Sequence, residues 1–76
     1  MGKAGSLISN RVRALRFEHQ EMTQADLADQ VGVTRQTVHA IEHNKYSPSL
    51  EVAFRIARAF KVSLEDVFQY QEEPEE

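Results

Sequence analysis

His39, Glu42 and His43 stand in the order His39-Ala40-Ile41-Glu42-His43, which spells H-x-x-E-H, the signature of the inverted zinc peptidases. On a helix the two histidines fall one turn apart on one face, with the carboxylate beside them. Two imidazoles at that spacing can share a zinc ion, and a carboxylate can activate its water. Such chemistry also needs a third ligand and a cleft. The chain has no cysteine, and its only other histidine is His19. A closed pocket is hard to build in 76 residues. The same spelling arises by chance on a helix with a mixed polar face. The expectation is therefore no catalytic residue, no metal site, no cofactor and no enzyme, and the question becomes what positions these side chains.

A chain of 76 residues makes one domain with a small core and no disulfides. Stability must come from a compact helical core, with a second copy as one way to complete it. No apolar run approaches the roughly 20 residues of a membrane span, and no signal-peptide core is present. A soluble, cytoplasmic protein is the expectation. Met1-Gly2-Lys3-Ala4-Gly5-Ser6 matches the N-myristoylation pattern, but that pattern is short, and the plain reading is a flexible N-terminus over residues 1–5.

Net charge is −3, which by itself argues against nucleic acid. Its distribution argues the other way. Glu65, Asp66, Glu72, Glu73, Glu75 and Glu76 crowd the last twelve residues, whereas all nine Lys and Arg lie in the first 64, against six acids. The body is mildly basic and carries an acidic tail, read as a solvated end over 71–76. A mildly basic body can bind DNA when its charges gather on one face.

Apolar spacing is helical almost throughout. Ile8, Val12 and Leu15 recur at i, i+4 and i+7 and predict helix 1 from about Ser6 to His19. Thr23 with Asp26 forms a capping signal for helix 2, Gln24 to Val31, with Leu27, Ala28 and Val31 inward. Gly32 is the stop signal, and Thr34 caps helix 3, Arg35 to His43, which Asn44 ends. Ser47-Pro48-Ser49 starts helix 4, which runs to about Phe60 with Leu50, Ala53, Ile56, Ala57 and Phe60 inward. Ser63 and Asp66 bracket a one-turn helix 5 through about Val67. Phe68-Gln69-Tyr70-Gln71 alternates aromatic and polar residues, which favours a short strand, with residues near the N-terminus as its candidate partner.

Helices 2 and 3, joined by Gly32-Val33-Thr34, have the layout of a DNA-binding helix-turn-helix. Ala28 is small where the helices would cross closely. Val38 and Ile41 are the only large apolar residues of helix 3, leaving Arg35, Gln36, Thr37, His39, Ala40 and His43 on its other face. Arg35 can fork onto guanine, Gln36 onto adenine, and Thr37 can offer a hydroxyl or a methyl group. A solvated helix face in a small bundle would look similar at any one of these positions. The joint occurrence of Ala28, Gly32, two caps and a one-sided helix 3 favours DNA.

The stretch "TQADLADQVGVTRQTVHAIEHNKYSPSLEVAFRIARAF" resembles the Cro/CI-type (XRE) helix-turn-helix family of prokaryotic repressors, most closely the small single-domain members similar to the cytolysin repressor. The resemblance spans about residues 8 to 70, and Gln24, Ala28, Gly32, Val38 and Ile41 stand where the family motif has them. It implies an all-α, five-helix, lambda-repressor-like bundle over residues 6–70. By resemblance Gln24 holds a phosphate, a role that the free N–H groups of a helix N-terminus also suit. Thr34, His43, Asn44, Lys45 and Tyr46 fall beside the DNA backbone, and Arg35, Gln36, Thr37 and His39 at base-reading positions. The resemblance also pairs Glu42 with Arg16 on helix 1. "FEHQEM", between helices 1 and 2, is one residue longer than in many members.

One reading helix makes few contacts, and specific affinity usually needs two half-sites roughly 34 Å apart, read by a two-fold dimer. Val67, Phe68 and Tyr70 are the candidate dimer surface, while Phe60 is read as core. The function expected is a DNA-binding transcriptional regulator, read as a repressor, acting as a homodimer on a palindromic operator. Two alternatives stand beside it. One is an antitoxin-like regulator whose main partner is a protein, and the other a pure protein-interaction module.

Overall fold

A computed structural model describes residues 7–71. In chain order it holds β1 (Ile8–Asn10), α1 (Val12–Glu18), α2 (Gln24–Val31), α3 (Arg35–Glu42), α4 (Leu50–Phe60), α5 (Leu64–Val67) and β2 (Phe68–Tyr70). Residues 1–6 and 72–76, with the lipidation pattern and nearly all of the expected tails, lie outside the described residues.

The helix ends follow local chemistry. Thr23 and Asp26 form a complete capping box, as do Ser63 and Asp66, each side chain bonding the other's backbone N–H. Thr34 caps α3 by accepting from Thr37 N, and Ser49 caps α4 by accepting from Val52 N. Gly32 ends α2 at φ +80°, with the N–H groups of Gly32 and Val33 both donating to Ala28 O. That left-handed conformation is cheap only without a Cβ. Asn44 takes the same region after α3, as its type favours.

Helix α1 starts later than its spacing predicts. Ile8 is not its first inward residue but the start of β1, which pairs antiparallel with β2 in the register Ile8↔Tyr70, Ser9↔Gln69 and Asn10↔Phe68. Asn10 makes the switch from strand to helix. Its Oδ1 accepts from Val12 N at 3.0 Å, while its Nδ2 donates to Ile41 O at 2.9 Å and Asn44 Oδ1 at 3.1 Å. One side chain thus starts α1 and moors the strand pair to the end of α3.

The core is one cluster drawn from every helix: Val12 and Leu15, Leu27, Ala28 and Val31, Val38 and Ile41, Ile56, Ala57 and Phe60, and Val67. Two expectations change here. Leu50, read as inward on α4, is 67% exposed because the first turn of that helix overhangs the core. Val67, read as a dimer residue, is fully buried, so it lies under the surface rather than on it. Among the described residues, no helix is long and apolar enough to cross a membrane.

Candidate nucleic-acid interface

Helix α3 is held from behind and bare in front. Val38 and Ile41 are buried to within 2% of completely, whereas Arg35, Gln36, His39 and His43 are exposed and Thr37 and Ala40 half-buried. Arg35, Gln36 and His39 are thereby brought onto one accessible surface. Thr37 is more committed, since its Oγ1 lies 3.0 Å from Thr34 Oγ1 and its backbone N–H donates to that same oxygen. Beyond the helix, Lys45 and Tyr46 are exposed, and Asn44 is tied to Asn10. Phe68 of the expected dimer surface is half-buried and Tyr70 is 66% exposed.

The back of α3 is braced by charge. Arg16 Nε donates to Glu42 Oε2 at 2.6 Å and Arg16 Nη2 to Glu42 Oε1 at 3.1 Å. The third guanidinium nitrogen, Nη1, donates to Met22 O at 2.8 Å. The two side chains are only 10% and 4% exposed. Gln24 Nε2 adds a third hydrogen bond to Glu42, at 3.1 Å to Oε1, and lies 3.5 Å from His39 Nδ1. Gln24, expected on a phosphate, is half-buried with its amide turned toward α3.

This arrangement answers the H-x-x-E-H spelling. The His39 and His43 rings do lie together, with centroids 4.2 Å apart. The carboxylate that would activate a metal-bound water instead accepts three hydrogen bonds from Arg16 and Gln24. His19 is remote in role: its Nδ1 donates to Leu15 O and its ring packs on Phe60. Among the described residues, no group of three or more His, Cys, Asp or Glu side chains is placed to hold a metal ion.

Sequence reasoning missed Asn10 and the contact between Gln24 and His39. Asn10 lies one residue ahead of the N-cap, Arg11, and closes an Asx turn on Val12 N, a local signal that the apparent start of helix 1 at Ser6 hid.

A family model described as helix-turn-helix matches residues 12–67. The chain belongs to the XRE-type helix-turn-helix family. This helix-turn-helix chain is 47% identical over 66 residues to an uncharacterised HTH-type transcriptional regulator of Methanocaldococcus jannaschii, covering 87% of this chain and 98% of that one. An uncharacterised HTH-type transcriptional regulator of Bacillus subtilis matches with the same identity and the same coverage of both chains. The helix-turn-helix fold also superposes on a crystal structure of a candidate DNA-binding protein from Bacteroides fragilis, with a TM-score of 0.73 and 27% identity, over 82% of this chain and 98% of that one. Within the helix-turn-helix, α2 is the supporting helix and α3 the one whose polar face is free.

Proposed function

We propose that this protein is a sequence-specific DNA-binding transcriptional regulator, not an enzyme, that lays α3 in the major groove. The observation that carries the reading is the one-sided burial of α3. Val38 and Ile41 anchor it, Glu42 is locked to Arg16, and Arg35, Gln36 and His39 are exposed away from that anchor. A rigid helix with short polar groups near its N-terminus suits base-edge contact. Thr34, Lys45 and Tyr46, exposed at the two ends of that helix, are the candidate phosphate contacts, with His43 beside them.

The regulator acts as a homodimer on a palindromic operator and represses by occupying it. Support comes from an apolar groove lined by Ser47, Pro48, Leu50, Ala53, Leu64 and Phe68, and exposed apolar patches of this kind mark protein interfaces. This groove also gives the antitoxin-like reading its one favourable observation, because a different small protein could fill it.

Selection of bound fragments from random duplex DNA tests the proposal. Two inverted half-sites about one helical turn apart are expected. Affinity should fall steeply with salt, since phosphate contacts release counterions. Absence of salt-dependent binding to any duplex, with a second small protein co-purifying, would replace DNA reading by a protein partnership.

A further inference from the structure

The Gln24 amide links the buried ion pair to the exposed face of α3, and hydrogen-bond bookkeeping fixes what it does there. An ionised carboxylate only accepts hydrogen bonds. The amide atom 3.1 Å from Glu42 Oε1 is therefore the nitrogen. Glu42 cannot turn away, because Arg16 bonds both of its oxygens. The amide nitrogen carries two hydrogens. One serves Glu42, and His39 Nδ1 lies 3.5 Å from the same nitrogen. A ring nitrogen that faces an N–H group is the one without a proton. The His43 ring packs against His39 at 4.2 Å between centroids.

We infer that Gln24 holds His39 in the Nε2–H tautomer, so that this imidazole meets DNA as a hydrogen-bond donor and selects an acceptor on the base edge it reads. Which nitrogen of a neutral imidazole carries the proton is set by the bond the other one makes. In the major groove the acceptors are guanine N7 and O6, adenine N7 and thymine O4, whereas cytosine offers its N4 amino donor. The base opposite His39 is thus guanine, thymine or adenine through N7, and cytosine is rejected. Gln24 acts as a positioning residue, through His39 and without touching the base. The inference rests on α3 reading DNA for its base preference, but not for the tautomer.

The test has two arms. Long-range nitrogen–proton correlation spectra of the free, nitrogen-15-labelled protein at mildly alkaline pH report the tautomer directly. His39 should show a protonated Nε2 and a bare Nδ1. Gln24→Ala and Gln24→Leu should each introduce the Nδ1–H form, while His19, bonded through Nδ1 to Leu15 O, stays unchanged. A protonated Nδ1 on His39 in the parent overturns the inference, as does a His39 pattern unmoved by either substitution. The second arm is fragment selection from random duplex DNA. The base facing His39 should be an acceptor, favoured on the order of tenfold over cytosine. Gln24→Ala should flatten that position and leave those read by Arg35 and Gln36 in place. A cytosine preference overturns the base-edge half. Loss of all duplex binding in the parent overturns the DNA-reading function and the base preference with it, and the spectra alone then decide the link between Gln24 and His39.

Discussion

Arg16 and Glu42 join α1 to α3 through two hydrogen bonds, the shorter 2.6 Å, with both side chains almost wholly shielded from water. The value of such a pair is asymmetric. Desolvation consumes most of the attraction, yet removing one partner strands a buried charge. Arg16→Ala and Glu42→Ala should each lower the unfolding free energy by about 3–5 kcal/mol. The double replacement Arg16→Met with Glu42→Leu should cost clearly less than the two single losses combined. Urea denaturation of the three variants checks this, and single losses under about 1 kcal/mol would show that water takes the missing partner's place.

The left-handed backbone positions should respond in opposite directions. Gly32→Ala forces a Cβ into φ +80° and sets it 3.3 Å from Arg55 Nη1. The guanidinium can move aside, so the expected loss of about 1–2 kcal/mol is conformational. Lys61 ends α4 at φ +60° with a full side chain. Lys61→Gly should therefore gain up to about 1 kcal/mol. Thermal unfolding monitored by circular dichroism separates the two signs.

Base reading and phosphate binding should part company on DNA. Gln36→Ala should cost about 1–3 kcal/mol on the selected operator and relax the choice at one position. Lys45→Ala should weaken all duplexes about equally and flatten the salt slope by about one charge. Titrations of operator and scrambled duplex at several salt concentrations distinguish them. An equal loss on both duplexes for Gln36→Ala would take that residue out of the base-reading set.

Leu50 offers a test of the dimer that spares the fold. It is 67% exposed in the single chain yet lines the apolar groove. Leu50→Glu should leave the monomer's thermal stability nearly unchanged, within about 0.5 kcal/mol, and shift sedimentation toward a single copy. A dimer that persists undiminished would move the interface elsewhere, toward Tyr70.

Helices α2 and α3 were legible almost residue by residue because their ends carry their own chemistry. Thr23, Gly32, Thr34 and Asn44 each satisfy or terminate a backbone ladder locally, so their types reveal the boundaries. The strand pair was half legible. Phe68-Gln69-Tyr70 shows its alternation, but Ile8-Ser9-Asn10 fits a helical stripe equally well, and its pairing depends on a partner about sixty residues away. Leu50 continues the apolar stripe of α4 in sequence, and only the position of the core edge decides that it is exposed. Glu42 presented catalytic spelling; the resemblance named Arg16 as its partner, but the approach of Gln24 to His39 is a matter of side-chain reach that spacing does not encode.

The pairing of β1 with β2 has a topological consequence. Gln71 N donates to Leu7 O at 2.7 Å, so the described chain begins and ends at one spot and is almost a ring. A short linker should join those ends without moving any helix, and new ends could be opened at exposed Gln20-Glu21, between α1 and α2. Such a circularly permuted chain would keep the reading face of α3 whole while carrying its free ends just ahead of α2, a place where a fused label or tether could be attached.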